Sequence, residues 1–282
     1  MLKLTNIDKS ATHSVAEIKD SYRFNLLVNG DFQINQRGAS SYRNGGYTVD
    51  MWRTSATQNL LQPVRGGVSL TDYSGGVDPC VLSQKVEEIN TETHYTFVVK
   101  TRGNEPYVLT TNDNLVTEKE FDVGRVKLQV DKKSKWVKII LFSGALDIEY
   151  ADLFEGDEPF AHVKEPKAIA LQRCYEYFYS MTGDGLCHFG YAHSYGDSAS
   201  RILNLPVHMR STPTVSHYKI TGLYSKSNSF NMTNDMNVQI FAHQSTHCMV
   251  VKFTRKNGSV FPTNNHYELY TAENFWFSCE PL

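Results

Sequence analysis

The stretch Asn25–Gly38, NLLVNGDFQINQRG, followed after a Ser- and Gly-rich interval by Tyr47–Arg53, YTVDMWR, decides how this chain is read. Leu26, Leu27 and Val28 form an apolar run that reads as a first strand. Asn29 and Gly30 tolerate the positive φ of a tight turn. Beyond that turn Phe32 and Ile34 alternate with polar neighbours, so both are expected to face inward. Trp52, and Trp136 further on, lie on strand-like runs and are expected in the core.

The pattern continues to about Phe160. Tyr95, Phe97 and Val99 alternate with Thr96, Val98 and Lys100, and Val126, Leu128 and Val130 with Lys127 and Gln129. The charged turn DKKSK (131–135) then leads into WVKIILF. Period-two alternation broken roughly every 8 to 12 residues by Gly, Asn, Asp or Pro signals an antiparallel sandwich or barrel. Two prolines interrupt DEPFAHVKEP, and Lys167–Arg173 has the character of a short helix before an aromatic strand at Tyr175–Tyr179. The segments GLCHFGYAH, SRILNLPVHM, TPTVSHYKI, NVQIFAHQ, HCMVVKFTR and FWFSCEPL again read as β.

The expected fold class is therefore all-β: two β-sandwich, jelly-roll-like domains joined by a short helix, with a short N-terminal helical segment. Residues 1–23 are polar, and only Val15, Ile18 and Tyr22 share a helical face behind a Ser14–Glu17 capping box. That segment is expected to dock on a neighbour. The first domain is expected to span 24–163 and the second 164–282, the boundary falling at about His162–Lys167.

Composition narrows the partners. With 282 residues the chain buries roughly three quarters of its unfolded surface and needs no metal or disulfide to fold. A net charge of −2 with 21% charged residues leaves no basic stripe for nucleic acid. The 16 Tyr, 15 Phe and 3 Trp favour pleated surfaces. No segment approaches the ~18 apolar residues of a membrane span. MLKLTNIDKSATHS contains no signal-peptide run. Cys80, Cys174, Cys187, Cys248 and Cys279 are odd in number and lack CxxC spacing, as expected of reduced thiols in a protein made in the cytoplasm.

Candidate chemistries are few. GDSAS (196–200) contains the Gly-Asp-Ser box of one hydrolase family, yet Ser198 falls mid-chain in an expected loop, without a helix dipole or oxyanion setting. His243 and His247 are four apart, with Cys248 adjacent and Cys187–His188 upstream. On a strand that spacing is about 13 Å, too wide to chelate one ion. No metal or other cofactor is expected. Paired carboxylates (Glu87–Glu88, Glu118 and Glu120, Asp152 with Glu155 and Asp157) are the residues a glycosidase would need, though charges near turns are commonly solvated. Exposed aromatics are the better candidates. Tyr42, Tyr47, Tyr73, Tyr191 and Tyr195 lie in or beside Gly-, Ser- or Asn-rich segments, where a ring can stack on a sugar; capping a sandwich end or filling an interface is their commoner use.

The opening stretch resembles the start of a domain found in bacteriophage tail-fibre and related virion proteins, similar in kind to jelly-roll carbohydrate-binding modules. Later segments agree in order. LSQKVEEIN (Leu82–Asn90) before YTFVVKTRG resembles the family's Gln-x-apolar-Glu strand and the core strand after it. LDIEYADLFEGDEPFAHVKEP resembles its closing strand and exit, and AIALQRCYEYFYS its short helix ending in an aromatic cluster. LPVHMRSTPTVS (Leu205–Ser216) is similar to a Pro-Val-x-Met-Arg-x-x-Pro-Thr segment of the domain that commonly follows. The likeness spans Asn25 to Thr214. Met51 departs from it, standing where the family often has Arg.

The resemblance implies a non-enzymatic virion protein in a tail fibre or tail-associated appendage, assembled with other virion proteins as a homo-oligomer, a trimer. It further implies attachment to bacterial surface polysaccharide. Residues 1–23 hold no collagen-like or coiled-coil shaft, so a short fibre, knob, decoration or adaptor is expected. The rival expectations are a purely structural decoration or adaptor of the head or tail and a glycan-degrading tail enzyme.

Overall fold

The computed structural model describes residues 25–43, 45–55, 59–74, 77–181, 187–195, 198–211, 213–216, 220–224, 229–231, 236–242, 248–255, 266–271 and 275–279. The helix expected within residues 1–23 lies outside them. Two compact units are present. One comprises residues up to Phe32, Ser40–Gly46 and Trp52–Lys164; the other comprises Gln33–Ala39, Tyr47–Met51 and Glu165 onward. Two short pieces of the opening stretch thus belong with the second unit, whereas the sequence placed 24–163 in a single domain.

In chain order the first twelve strands are β1 (Tyr42–Arg43), β2 (Gly46–Tyr47), β3 (Arg53–Ser55), β4 (Asn59–Val64), β5 (Gly67–Asp72) and β6 (Cys80–Lys85). They continue with β7 (Tyr95–Thr101), β8 (Tyr107–Thr110), β9 (Val116–Phe121), β10 (Val126–Asp131), β11 (Trp136–Leu141) and β12 (Gly144–Glu155). They form two six-stranded antiparallel sheets, ordered β1-β4-β5-β12-β7-β8 and β2-β3-β6-β11-β10-β9. The arrangement is all-β and sandwich-like. The chain changes sheet at β1–β2, β3–β4, β5–β6, β6–β7, β8–β9 and β11–β12, so one core is built from contacts distant in sequence.

The β10–β11 hairpin follows the period-two pattern closely. Val126, Leu128 and Val130 lie opposite Leu141, Ile139 and Val137, and all six are fully buried. Each such side chain contributes roughly 1.5–3 kcal/mol of hydrophobic stabilisation. The connecting turn is not wholly solvated: Lys132 is buried, its Nζ donating to the Asn112 carbonyl at 2.9 Å. Trp136, expected in the core, is only half-buried. It has the same parity as Lys138, so it faces outward when Val137 and Ile139 turn in. Trp52 meets its expectation and is fully buried. On β7, Thr96 and Val98 are buried along with Tyr95, Phe97 and Val99, so both faces of that strand are covered.

The edges are defended. Edge strand β9 exposes Glu118, Lys119 and Glu120, and Lys127 Nζ bridges Glu118 at 3.2 Å and Glu120 at 3.6 Å. Lys119 Nζ donates to the Val108 carbonyl on edge strand β8. Charged side chains over a strand edge discourage further pairing.

The second unit contains helix α1 (Lys167–Tyr175) and strands β13 (Phe178–Met181), β14 (Cys187–Tyr195), β15 (Ser198–Asn204), β16 (Thr214–Ser216) and β17 (Ile220–Tyr224). It continues with β18 (Ser229–Asn231), β19 (Met236–Ala242), β20 (Cys248–Arg255), β21 (His266–Thr271) and β22 (Phe275–Ser278). Its sheets are ordered β13-β22-β16 and β18-β17-β21-β14-β15-β20-β19. Ser198, expected in a loop, opens β15 and pairs with Tyr195 and Thr254. Among the described residues no helix is long and apolar enough to cross a membrane.

The expected first strand does not form. Residues 26–31 are bends and turns rather than a strand, although Phe32 and Ile34 are buried as expected, and Leu27 and Val28 are buried with them. The backbone here is held by other means. The Asn25 side chain accepts from the Leu27 and Leu153 amides, and Leu26 donates to the Leu153 carbonyl at 2.9 Å. The Gln84 amide grips Val28 from both sides, accepting from its N–H at 2.7 Å and donating to its carbonyl at 2.8 Å. Asn29 takes the positive φ of the turn, 56°. Gly30 is needed for a different reason: a Cβ there would sit 2.3 Å from the Ala151 carbonyl oxygen.

Candidate functional site

The polar residues of the opening stretch are the first to test as a site. Gln36 Nε2 donates to Asp50 Oδ2 at 2.5 Å and to the Phe178 carbonyl at 2.8 Å, while its Oε1 accepts from the Ser180 amide at 3.1 Å. β13 is the edge of its sheet, so this one amide does the work of a neighbouring strand. Arg37 lies 3.7 Å from Asp50 and stacks over the Phe178 ring, with Tyr47 and Trp276 nearby. Burial raises the Asp50 carboxyl above its usual range, against the lowering effects of the Gln36 bond and the Arg37 charge. The Asp50 carboxylate is fully buried and the Arg37 side chain nearly so. The motif is an internal brace.

Two histidines share another pattern. His162 lies between Asp31 and Asp152, at 3.0 and 2.9 Å, and its ring stacks on Tyr150 at 3.6 Å. His94 lies between Asp113 and Asp157, at 3.0 and 2.9 Å. With a carboxylate at each nitrogen, both nitrogens donate and the ring is an imidazolium. Burial opposes the charge on His162, but the bonds to Asp152 and Asp31 outweigh it and push it up to about 9. Such a ring is a poor general base near neutrality. The carboxylates flagged in the sequence are likewise occupied or dispersed: Asp152 and Asp157 hold histidines, Glu118 and Glu120 share Lys127, and Glu87 and Glu88 are exposed in a turn.

An open cleft of about 240 Å³ remains, on the first unit. Thr101, Arg102 and Asn104 reach it from the end of β7, Asp122 and Arg125 from the β9–β10 turn, and Ala145, Leu146 and Asp147 from the start of β12. The lining is polar and internally balanced, with two guanidinium groups and two carboxylates. Pockets for apolar ligands are walled mostly by hydrophobic and aromatic side chains; this one is not.

The turn that supplies Asp122 and Arg125 is unusual. Arg125 N donates to the Asp122 carbonyl at 3.1 Å, closing a four-residue turn with φ of 54° at Val123 and 80° at Gly124. A type I′ turn favours Asn-Gly at those two positions. Here a β-branched residue occupies the left-handed region, where it is a genuine outlier, and its side chain is fully exposed. Tyr107 donates its hydroxyl to Asp122 Oδ2. Arg125 Nε donates to the Ser143 carbonyl at 3.2 Å, and Nη2 donates to that of Ala145.

Of the tyrosines named from sequence, Tyr42, Tyr47 and Tyr73 do not line this cleft. Tyr42 is half-buried in β1, and Tyr73 is 60% exposed just past β5. Tyr42 lies opposite Leu61, which lies opposite Leu70, so Tyr73 is two strands across and three residues along from Tyr42. That is about 14 Å, too far for both to clasp one ring. Tyr47, half-buried, lies beside Arg37. Tyr191 and Tyr195 are on β14, and their side chains lie outside the described residues. His243 and His247 also lie outside them. Among the described residues no group of three His, Cys, Asp or Glu is arranged to hold a metal ion.

The cleft residues were not singled out by sequence reasoning. They come from two strand ends and a turn distant in sequence, and charged residues at such places carry no signal that separates a ligand contact from ordinary solvation. Comparison of the chain with protein-family models, curated proteins and solved structures found no match.

Proposed function

We propose that this chain is a non-enzymatic bacteriophage virion protein, part of a tail fibre or tail-associated appendage, that contributes to attachment at bacterial surface glycans. Two jelly-roll-like domains, a homotrimeric assembly with other virion proteins, and a location in the virion belong to the same reading. The resemblance of Asn25–Thr214 to virion appendage domains supports the setting. The observation that carries the ligand chemistry is the cleft. Its Arg102 and Arg125, its Asp122 and Asp147, and its Asn104 offer donors and acceptors with little apolar wall, which suits a polyhydroxylated ligand.

A single shallow sugar site commonly gives only millimolar affinity, about −4 kcal/mol. Several copies on one oligomer add roughly 10²- to 10⁴-fold, so attachment rests on the assembly. The test is binding of the full chain, with its oligomeric state verified by sedimentation, to bacterial cells and to cells stripped of surface polysaccharide. Saturable binding that disappears on stripping is expected. No binding by the intact oligomer would overturn the attachment reading in favour of a purely structural decoration or adaptor.

One observation favours a hydrolytic alternative: Asp122 and Asp147 both line the cleft, and glycoside hydrolysis uses two carboxylates. New reducing ends after incubation with the bound polysaccharide would establish it, and their absence would end it.

A further inference from the structure

We infer that the β9–β10 turn is the specificity element of the cleft, and that it reads an uncharged sugar residue through two neighbouring hydroxyl groups. This rests on the glycan reading above and names the class of glycan.

Asp122 and Arg125 stand at the two ends of one four-residue turn and line the same cleft. They carry opposite charges, yet among the described residues no ion pair joins them. Each is instead fixed from the side. The Tyr107 hydroxyl holds Asp122 Oδ2, leaving Oδ1 as an acceptor. The Ser143 and Ala145 carbonyls hold Arg125 Nε and Nη2, leaving the Nη1 hydrogens as donors. The result is one immobilised acceptor and one immobilised donor. A hydroxyl group both donates and accepts, so two adjacent hydroxyls satisfy the pair together, one giving its proton to Asp122 and the other receiving from Arg125.

Charge gives the alternatives no advantage. Arg102 and Asp147 already face each other at 4.0 Å, and the two guanidinium groups and two carboxylates of the lining balance, so neither an anionic nor a cationic sugar gains net attraction over an uncharged one. Val123 is the second, independent observation. It sits between Asp122 and Arg125 in a conformation that a β-branched residue rarely adopts, and its apolar side chain is fully exposed. Strain of this kind clusters at ligand contacts, and an exposed valine beside the polar pair offers a surface for the C–H face of a sugar ring.

The experiment uses the oligomer-verified full chain against immobilised mannan, galactan and dextran as uncharged probes, and polygalacturonate and alginate as acidic ones. Each is presented intact and after periodate oxidation, which cleaves vicinal diols to dialdehydes, followed by borohydride reduction of the aldehydes to primary alcohols. Binding to at least one uncharged polysaccharide, lost after periodate, is expected. Asp122→Asn keeps the shape and tolerates positive φ, and it should lower that affinity about tenfold or more by removing a charge-assisted acceptor, with an unchanged melting temperature. Acidic polysaccharides bound as well as uncharged ones, or binding that survives periodate, would overturn the diol inference while glycan attachment stood. Unchanged affinity in Asp122→Asn would overturn the assignment to this turn. Retention of none of the polysaccharides would overturn both readings.

Discussion

The guanidinium carbon of Arg37 lies 3.7 Å from the centre of the Phe178 ring, 141 positions further along the chain. Around that contact Gln36 engages both Asp50 and the edge of β13, so three residues of the opening stretch hold a strand that the chain reaches only after helix α1.

Removal of the Gln36 amide should loosen β13. Gln36→Ala leaves the Ser180 N–H and the Phe178 carbonyl without their partner, and each lost bond in a protected setting costs about 1–2 kcal/mol. A total loss of about 2–4 kcal/mol in urea unfolding is expected, with faster hydrogen exchange at Ser180. Arg37→Lys should cost less, about 1 kcal/mol, because the ammonium keeps the charge but not the planar stack. An unaltered Ser180 exchange rate in Gln36→Ala would refute the brace.

The His162 clamp should make stability depend on alkaline pH. The folded value of about 9 exceeds the unfolded value near 6.5. The contribution is therefore complete below about pH 6.5 and disappears as pH rises through 9. One unit is about 1.4 kcal/mol, which puts an upper limit of about 3 kcal/mol on the effect. Burial also raises the Asp152 carboxyl, outweighing the bond from His162, so desolvation offsets part of the gain and a loss of about 1–3 kcal/mol is expected. His94, exposed between two aspartates, is raised as well and titrates in the same direction. The diagnostic is therefore the difference between wild type and His162→Gln in urea midpoints at about pH 6 and pH 9.5. Equal slopes in the two proteins would eliminate the clamp.

Val123 separates a folding role from a binding role. Replacement by Asn, which accepts the left-handed region, should relieve strain and raise stability by about 1 kcal/mol. If the exposed valine contacts ligand, the same variant binds more weakly while melting higher. A variant less stable than wild type would show that the turn is not strained.

Gly30→Ala should be severe. The added methyl meets backbone, the Ala151 carbonyl at 2.3 Å, which cannot rotate away and already accepts from Asn25 Nδ2. A loss above about 3 kcal/mol, seen as failure to accumulate folded protein or a collapse in melting temperature, is expected. Gly38→Ala is the contrast: that glycine has a φ of 68° but open space around it, so only backbone strain of about 1 kcal/mol applies.

What the sequence by itself determined is the part governed by local periodicity. The β10–β11 hairpin, the helix from Lys167, the all-β character and the burial of Phe32, Ile34 and Trp52 were all legible, because alternation reports directly on burial. Trp136, expected in the core for lying on a strand-like run, shares its parity with Lys138 and so stands on the outer face. Tertiary structure alone decided how buried backbone was satisfied. Residues 26–31 look like a strand, but their hydrogen bonds go to the side chains of Asn25 and Gln84 and to Leu153. Gln36 likewise replaces a strand beside Phe178 and Ser180. A buried amide must find a partner, yet nothing local says whether that partner is a neighbouring strand or a glutamine far along the chain. The cleft was hidden for the same reason: Arg102, Asp122 and Arg125 are ordinary turn residues, and Asp147 an ordinary strand residue, until sheet topology sets them side by side.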